Sequence, residues 1–420
     1  MLECLDRYRD VEGTDALVVD VGHKSLNELI AELCPDGVEY KALGSLTTKL
    51  VDGSHKVPPK SSAKDALPMV SAQNVVNGKL DLSFGRFVLP DVYAIEAQRT
   101  KVQRDDVLLT IVGAIGRTAI VETDDVLAFQ RSVCVITTDK ELLEPRFLRY
   151  VLDSDVIQNY MTANARGAAQ KGFYLAQVAE LHIPVPPIEV QCEIVRILDS
   201  FQELDDALTA EIEAREKQLV AYRDKLLGSR LSELCPDEVE YKALGELEDN
   251  GLIKLGRGQV ISKKSIAENP GDYPIYSSAA TNGGLFGCYG SWMFEDSRIT
   301  WSIDGGGKFF YRSGVTRYSV TNVCGWLQVL SKNINIKYLY YALDNAWLTK
   351  IYDYSHKAHP SVIRREYIVP VPPIEVQRDI ASKLDQFQSN IDVLLSERDA
   401  RRNQFAYYRD RLLAFPESTS

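Results

Sequence analysis

The chain has 420 residues, 45% of them hydrophobic and 25% charged, and a formal net charge of −11. This balance excludes a disordered or fibrous chain, and no apolar run approaches the roughly 18 residues of a membrane span. Seven scattered cysteines without a C-x-x-C pair make a poor disulfide framework, and the acidic start MLECLDRYRD lacks a cationic segment followed by an apolar one, so the expected compartment is the cytoplasm.

In chain order, residues 1–25 resemble nothing else in the sequence and are expected to form an extension. A lead-in follows, ELCPDGVEYKALG at 32–44, which returns as ELCPDEVEYKALG at 233–245, offset by 201. The first block then shows β-rich runs at 67–76, 107–112, 118–121 and 132–137, separated by Gly, Asn and Asp. Residues 145–161 space Phe147, Tyr150, Val151 and Ile157 for one helical face. The second block repeats the plan, with strand-like runs at 273–276, 297–303, 308–311 and 325–329. A helix is expected over 336–351, through Leu339, Tyr340, Leu343, Trp347 and Ile351. Both blocks therefore run strands first, then a helix, then a loop.

Each loop opens a long charged segment. Residues 183–191 read IPVPPIEVQ and residues 369–377 read VPVPPIEVQ; the segments close on YRDKLL at 222–227 and YRDRLL at 408–413. The offset is 186 at Pro187 and Pro373 and still 186 at Leu227 and Leu413, so nothing is inserted or lost between. Pro187 and Pro373 suit the first position of a helix, and Glu189 and Glu375 favour its positive end. One seam runs through Leu198, Phe201, Asp205, Leu208, Ile212, Arg215, Leu219, Tyr222 and Leu226. The other runs through Leu384, Phe387, Ile391, Leu394, Arg398, Arg401, Phe405, Tyr408 and Leu412. Steps of three and four make a heptad seam, and about 40 residues at ~1.5 Å each make a rod of about 60 Å. Matched lengths and seams favour two rods packed on one another over two helices packed separately. Arg215 and Arg401 are equivalent cations within an apolar seam, where pairing could fix register. Asp205 and Arg398 each interrupt one copy only and could face opposite charge.

The charge is segregated. Residues 1–40 carry 3 Lys/Arg against 10 Asp/Glu, and residues 183–241 carry 6 against 14. Residues 41–182 carry 17 against 16, and residues 242–367 carry 15 against 11. The two blocks are thus neutral to basic, which permits a polyanionic partner.

Nearly identical flanks around dissimilar blocks suggest one scaffold presenting two different readers, and here the chain resembles a specificity (S) subunit of a type I restriction–modification system. The resemblance is carried by the doubled Pro-Val-Pro-Pro-Ile-Glu-Val-Gln starts, the Tyr-Arg-Asp-Lys/Arg-Leu-Leu ends and the repeated lead-ins. Within the blocks it extends to Gln73 through Lys79, to 107–117 with Gly113 and Gly116, to Tyr276-Ser277-Ser278 with Gly283-Gly284, and to 304–307; it covers roughly residues 26–414. It implies two mixed α/β target-recognition domains, each reading half of a split double-stranded DNA site, on an antiparallel two-helix coiled coil with pseudo-two-fold internal repetition. The expected domains are 1–25 (extension), 26–182 (lead-in and first recognition domain), 183–228 (first helix), 229–368 (lead-in and second recognition domain), 369–414 (second helix) and 415–420 (tail). It further implies docking of two methyltransferase (M) subunits for adenine methylation, with restriction (R) subunits added for cleavage. The chain itself is then non-catalytic and without cofactor, with S-adenosylmethionine, ATP and Mg expected on the partners.

Expected DNA-facing residues are Gln73, Asn74, Lys79, Arg117, Arg131, Arg166, Gln170 and Lys171 in the first block. In the second they are Ser277, Ser278, Asn282, Lys308, Arg312, Lys357 and His359, types that reach base edges or phosphates. The expected subunit-interface and coiled-coil residues are the seam residues Leu198, Phe201, Leu208, Arg215, Leu219, Tyr222, Leu226, Leu384, Phe387, Leu394, Arg401, Phe405, Tyr408 and Leu412. The residues themselves show no Walker-type phosphate loop and no Asn/Asp-Pro-Pro-Tyr/Phe motif. Residues 304–308 (DGGGK) read equally as a phosphate nest or a tight turn. The HKAHP tract at 356–360 reads as a DNA-facing loop in preference to a metal tract. A coiled-coil scaffold binding only protein, or the recognition part of a related bifunctional restriction system, stays open at this point.

Overall fold

The computed structural model describes residues 24–167, 171–235, 239–278, 282–304, 306–352 and 356–418. Most of the expected extension, and Gln170, lie outside them. The chain divides into two compact units, Met1–Ala207 with Arg398–Ser420 and Leu208–Glu397. Each unit holds one block and a part of each of the two long helices.

In the first unit, α1 (Leu26–Leu33) starts at Ser25, whose hydroxyl and Glu28 form a capping box. Strand β1 (Glu39–Ala42) pairs antiparallel with β10 (His182–Val185), Glu39 opposite Val185. Between them stand β2 (Thr47–Asp52), β3 (Leu67–Met69), β4 (Val75–Val76), β5 (Lys79–Leu80), β6 (Arg86–Val88) and α2 (Pro90–Thr100). There follow β7 (Val107–Thr110), β8 (Thr118–Ile120), β9 (Val133–Thr138), α3 (Pro145–Asp153), α4 (Asp155–Asn164) and α5 (Leu175–Ala179). Four strands form one antiparallel sheet in the order β2-β9-β7-β8. Its two faces are covered by different layers, as alternation along a strand requires. Val107 and Leu109 join Phe147, Tyr150 and Leu198 on the helical side, while Leu108 joins Val70, Phe129 and Val135 on the other.

Two expectations fail locally. The run 67–76 is not one strand: after Met69 the chain makes a 3-10 turn over Ala72–Asn74, because the Ser71 and Asn74 side chains supply local hydrogen bonds that compete with a ladder. The helix expected over 145–161 breaks at Ser154, whose backbone is extended (ψ 148°) and whose hydroxyl bonds back to the Val151 carbonyl. Strands β4 and β5 are joined by Asn77-Gly78 with φ of 50° and 77°, the left-handed pair a two-residue hairpin needs.

In the second unit, α6 (Ile188–Leu227) contributes its residues from 208 onward and α7 (Ser229–Leu234) leads to β11 (Glu240–Ala243) and α8 (Leu244–Asp249). The block continues with β12 (Ile253–Arg257), α9 (Lys263–Glu268), β13 (Tyr273–Tyr276), β14 (Leu285–Tyr289), β15 (Arg298–Ser302), β16 (Phe309–Arg312), β17 (Ser319–Val320) and β18 (Cys324–Val329). It closes with α10 (Ile336–Trp347), α11 (Pro360–Glu366), β19 (Ile368–Val371) and the start of α12 (Ile374–Leu412). The sheet order β12-β18-β15-β16 matches that of the first unit strand for strand, and β11 pairs with β19 in the register of β1 with β10. The blocks differ in what is inserted between the first and second strands of the chain in that sheet. The first carries short ladders and α2, the second α9 and the paired strands β13 and β14, to which β17, from between the third and fourth strands, adds to make the separate sheet β14-β13-β17.

The long helices α6 and α12 span 40 and 39 residues. Within the first unit Phe201 meets Tyr408 with ring centres 5.8 Å apart; within the second Tyr222 meets Phe387 at 5.4 Å. Both pairs of numbers add to 609, one rising as the other falls, so the helices run antiparallel in the same register. The expected fold, mixed α/β blocks with an antiparallel helix pair, is the one observed.

Candidate nucleic-acid interface

In the first block the expected cations lie at loops and turns around the sheet. Gln73, Lys79, Arg117, Arg131, Arg166 and Lys171 are exposed. Lys79, just past the hairpin turn, reaches Asp206 of α6 at 2.6 Å. Arg117 opens onto a 350 Å³ cleft lined also by Asn77, Gly78, Arg149, Phe201, Asp205, Arg401, Arg402 and Phe405. Burial lifts the Asp153 carboxyl at its floor above the usual range, partly offset by Arg149. Arg166 and Lys171 flank a backbone bridge: Arg166 exchanges both hydrogen bonds with Gly172 at 2.8 Å, and Lys171 accepts from Gly113.

Asn74 is a correction. It is fully buried, accepts from Ser71 and donates to the carbonyls of Asp81 and Phe84, both at 2.9 Å. A saturated, buried amide holds its loop and has nothing left for DNA.

In the second block the structure gathers Ser277, Ser278, Lys308 and Arg312. The Arg312 guanidinium lies 3.6 Å from the centre of the Tyr276 ring and 4.8 Å from that of Phe310. It donates to Thr300 Oγ1 at 3.0 Å and to the Gly283 carbonyl at 2.5 Å. Burial lowers its pKa. Among the described residues no carboxylate forms an ion pair with it, so its charge is held by rings and dipoles. Ser277 shares a hydrogen bond with Thr321, and the Ser278 carbonyl accepts from Ser302. Asn282 sits in the turn beside Gly283. Lys357 is paired with Asp304 at 2.9 Å. His359 is exposed, and its Nδ1 accepts from the Ser361 amide at the start of α11, so one ring nitrogen caps a helix. Gly306 and Gly307 have left-handed backbones, the Gly306 carbonyl accepts from Trp347, and a side chain at Gly307 would strike Tyr352. That packing accounts for a tight turn; Gly305 lies outside the described residues. His356 stacks on Tyr352 beside Glu366, and no cluster of three metal-ligating side chains exists among the described residues.

Along the helices the apolar seam residues are buried or half-buried, with Leu198 and Leu384 at 0% exposure. Arg215 departs from the seam. Its side chain is 45% exposed and bonds to Glu211 and Gln218 of its own helix, because a 3.5-residue repeat drifts around a 3.6-residue helix. Arg401 is half-buried and bonds to Gln404. Asp205 takes a bidentate pair from Arg402, at 2.6 and 2.9 Å.

Sequence reasoning missed a set of polar contacts that seats each block on the helices. In the first unit Gln191 accepts from the Glu144 amide and donates to the Leu142 carbonyl, both at 2.9 Å. Asp199 receives Arg146 at 2.7 Å and Tyr150 at 2.6 Å, and Arg409 reaches Asp155 at 2.8 Å. In the second unit Gln377 bonds to the Asn335 amide and the Asn333 carbonyl. Asp385 receives Lys337 at 3.1 Å and Tyr341 at 2.7 Å, and Arg223 reaches Asp344 at 2.7 Å. The helix partners differ by 186 throughout, and residues 142, 144, 146 and 150 differ from 333, 335, 337 and 341 by 191. That second constant offset was the available signal.

A family model described as the type I restriction modification DNA specificity domain matches residues 35–215 and again 236–399. The chain is 31% identical over 238 residues to S.MpnORF615P of Mycoplasma pneumoniae, which bears the name of a type I specificity subunit. The match spans 55% of this chain and 92% of that one. Its fold is similar to the S subunit of a type I restriction–modification system from M. genitalium (TM-score 0.55, 18% identity, 90% of this chain and 96% of that one). It is also similar to a chain solved for complex assembly and conformational transition of a type I R-M system (TM-score 0.51, 18% identity, 90% and 97%). Two similar blocks mounted on a pair of long helices, matched twice by one model, place the chain in a class of DNA sequence-recognition proteins. It belongs to the type I restriction–modification DNA specificity family. Its members recognise DNA, and catalysis lies in their M and R subunits. No helix among the described residues is long and apolar enough to cross a membrane.

Proposed function

We propose that each block reads one half of a bipartite double-stranded DNA site and that α6 and α12 set the unread spacer between the halves. The observation that carries this is the pair of units with the same sheet order and the same lead-in ladder but different insertions and different exposed cations. A common frame with unlike surfaces suits two readers of unlike sequence. In this reading Gln73, Lys79, Arg117, Arg131, Arg166 and Lys171 serve the first half-site. Arg312 and Lys308 are the principal groups at the second. Cations contacting phosphates would supply most of the affinity and make it fall steeply with salt.

The helices would also dock two M subunits, which carry S-adenosylmethionine and methylate adenine at N6. R subunits, with ATP and Mg, would add translocation and cleavage, and the complex would act in the cytoplasm. The test is a methylome. The chain is co-expressed with its M subunit in a methylation-free host and N6-methyladenine is mapped by single-molecule sequencing. A split motif with one spacer is expected. No new methylation from a purified M–S complex would favour a scaffold that binds only protein.

A further inference from the structure

We infer that the repeated polar contacts between each block and the long helices are a positioning joint, and that Asp199 and Asp385 at its centre hold the spacer to a single length. The inference rests on the proposed reading of two half-sites, and concerns what keeps each reader at one angle to its helices.

The joint grips each block at three places along α10 or along α3 and the start of α4. The start of α3 or α10 is held by Gln191 or Gln377, which are 0% and 1% exposed. The middle is held by Asp199 or Asp385, each taking a Tyr hydroxyl and a cation. The third grip is made by Arg409 or Arg223, buried cations from the closing Tyr-Arg-Asp motif of the other long helix: Arg223 reaches Asp344 in the last turns of α10, and Arg409 reaches Asp155, the first residue of α4 just past the end of α3. Grips at the start and end of a helix fix its tilt. Directional hydrogen bonds at its middle fix its rotation about its own axis, which apolar packing alone would let slide.

The contacts of Gln191 and Asp199 recur at constant offsets in Gln377 and Asp385, while the Arg409 and Arg223 contacts keep the helix offset of 186 and meet block carboxylates offset by 189. The central ion pairs are half-exposed and add little net stability, so the use left for directional polar contacts at this place is to specify one arrangement. A reader that accepts one spacer and rejects its neighbours must be held to within about 3.4 Å along DNA and roughly 35° around it, the step of one base pair. A loosened joint would therefore show itself in spacer length before it showed in the bases read.

The test uses the M–S complex with Asp199→Ala, Asp385→Ala, Tyr150→Phe and Tyr341→Phe, each mapped by methylome beside wild type. The expected result is unchanged half-site sequences with methylation at spacers one base pair shorter and longer, at least tenfold above wild type. A single spacer with methylation merely reduced would make these residues structural and overturn the inference, as would degraded half-site preference at an unchanged spacer. If an alanine variant fails to assemble, the phenylalanine variants, which lose one hydroxyl, are judged by the same two outcomes. A wild-type complex that produces no split motif at all would remove the reading on which the joint depends.

Discussion

Arg312 is the residue whose surroundings ask most for a partner: a cation held between Tyr276 and Phe310 and, among the described residues, bonded to the neutral oxygens of Thr300 and Gly283. A guanidinium fixed in one plane suits a base edge better than a mobile phosphate. Arg312→Lys is expected to keep the fold and cost about 1–3 kcal/mol of discrimination at one base pair of one half-site, checked by competition binding with single-base variants. Uniform weakening on all sequences would make it a phosphate contact. A second residue-scale expectation concerns Asp344, whose carboxyl burial lifts above its ordinary range, only partly offset by Arg223. Between the ordinary Asp value and this raised one, the folded state binds more protons than the unfolded state. Stability therefore falls as pH rises through that window and levels off above it. Asp344→Asn should flatten this slope in urea unfolding measured at pH values above the ordinary Asp range. Because it removes the hydrogen-bonded counter-ion of a buried Arg223 and leaves Asp224 at 3.5 Å, it should also cost roughly 3 kcal/mol.

At the scale of elements, α6 and α12 owe most of their pairing to apolar seams, with the partly exposed Asp205–Arg402 ion pair beside them. Leu198 and Leu384 are fully buried at equivalent places, one in each unit. Replacing either by Ala should cost about 2–5 kcal/mol, visible as a lower urea midpoint, while Arg215→Ala, on an exposed face, should cost under about 0.5 kcal/mol. The seam was legible in the sequence because a heptad is a local pattern. The place of Arg215 outside it was not, because supercoiling depends on the partner helix. Asn74 and His359 illustrate the same boundary. Each is a residue type suited to DNA, yet one is consumed by its own loop and the other has one ring nitrogen engaged at a helix start. Residue type gives capability; only the fold shows whether a polar group is already satisfied.

At the scale of the whole molecule, a net charge of −11 coexists with blocks that are neutral to basic. Binding to DNA should weaken linearly in log K against log salt, with a slope near −0.9 for each phosphate contacted, read by fluorescence anisotropy. A slope near zero would favour the protein-only scaffold. Repetition made the architecture readable: lead-ins offset by 201 and helices offset by 186 announce a duplicated frame without any contact being known. The sequence by itself therefore determined the two blocks, the two long helices and the family, because propensity, periodicity and duplication are written along the chain. Only the tertiary structure decided that each unit combines its block with segments of both helices, and that Gln191, Asp199 and Arg409 with their counterparts seat the blocks. Such contacts join residues up to 254 positions apart. Their formation depends on packing geometry, which no local pattern encodes.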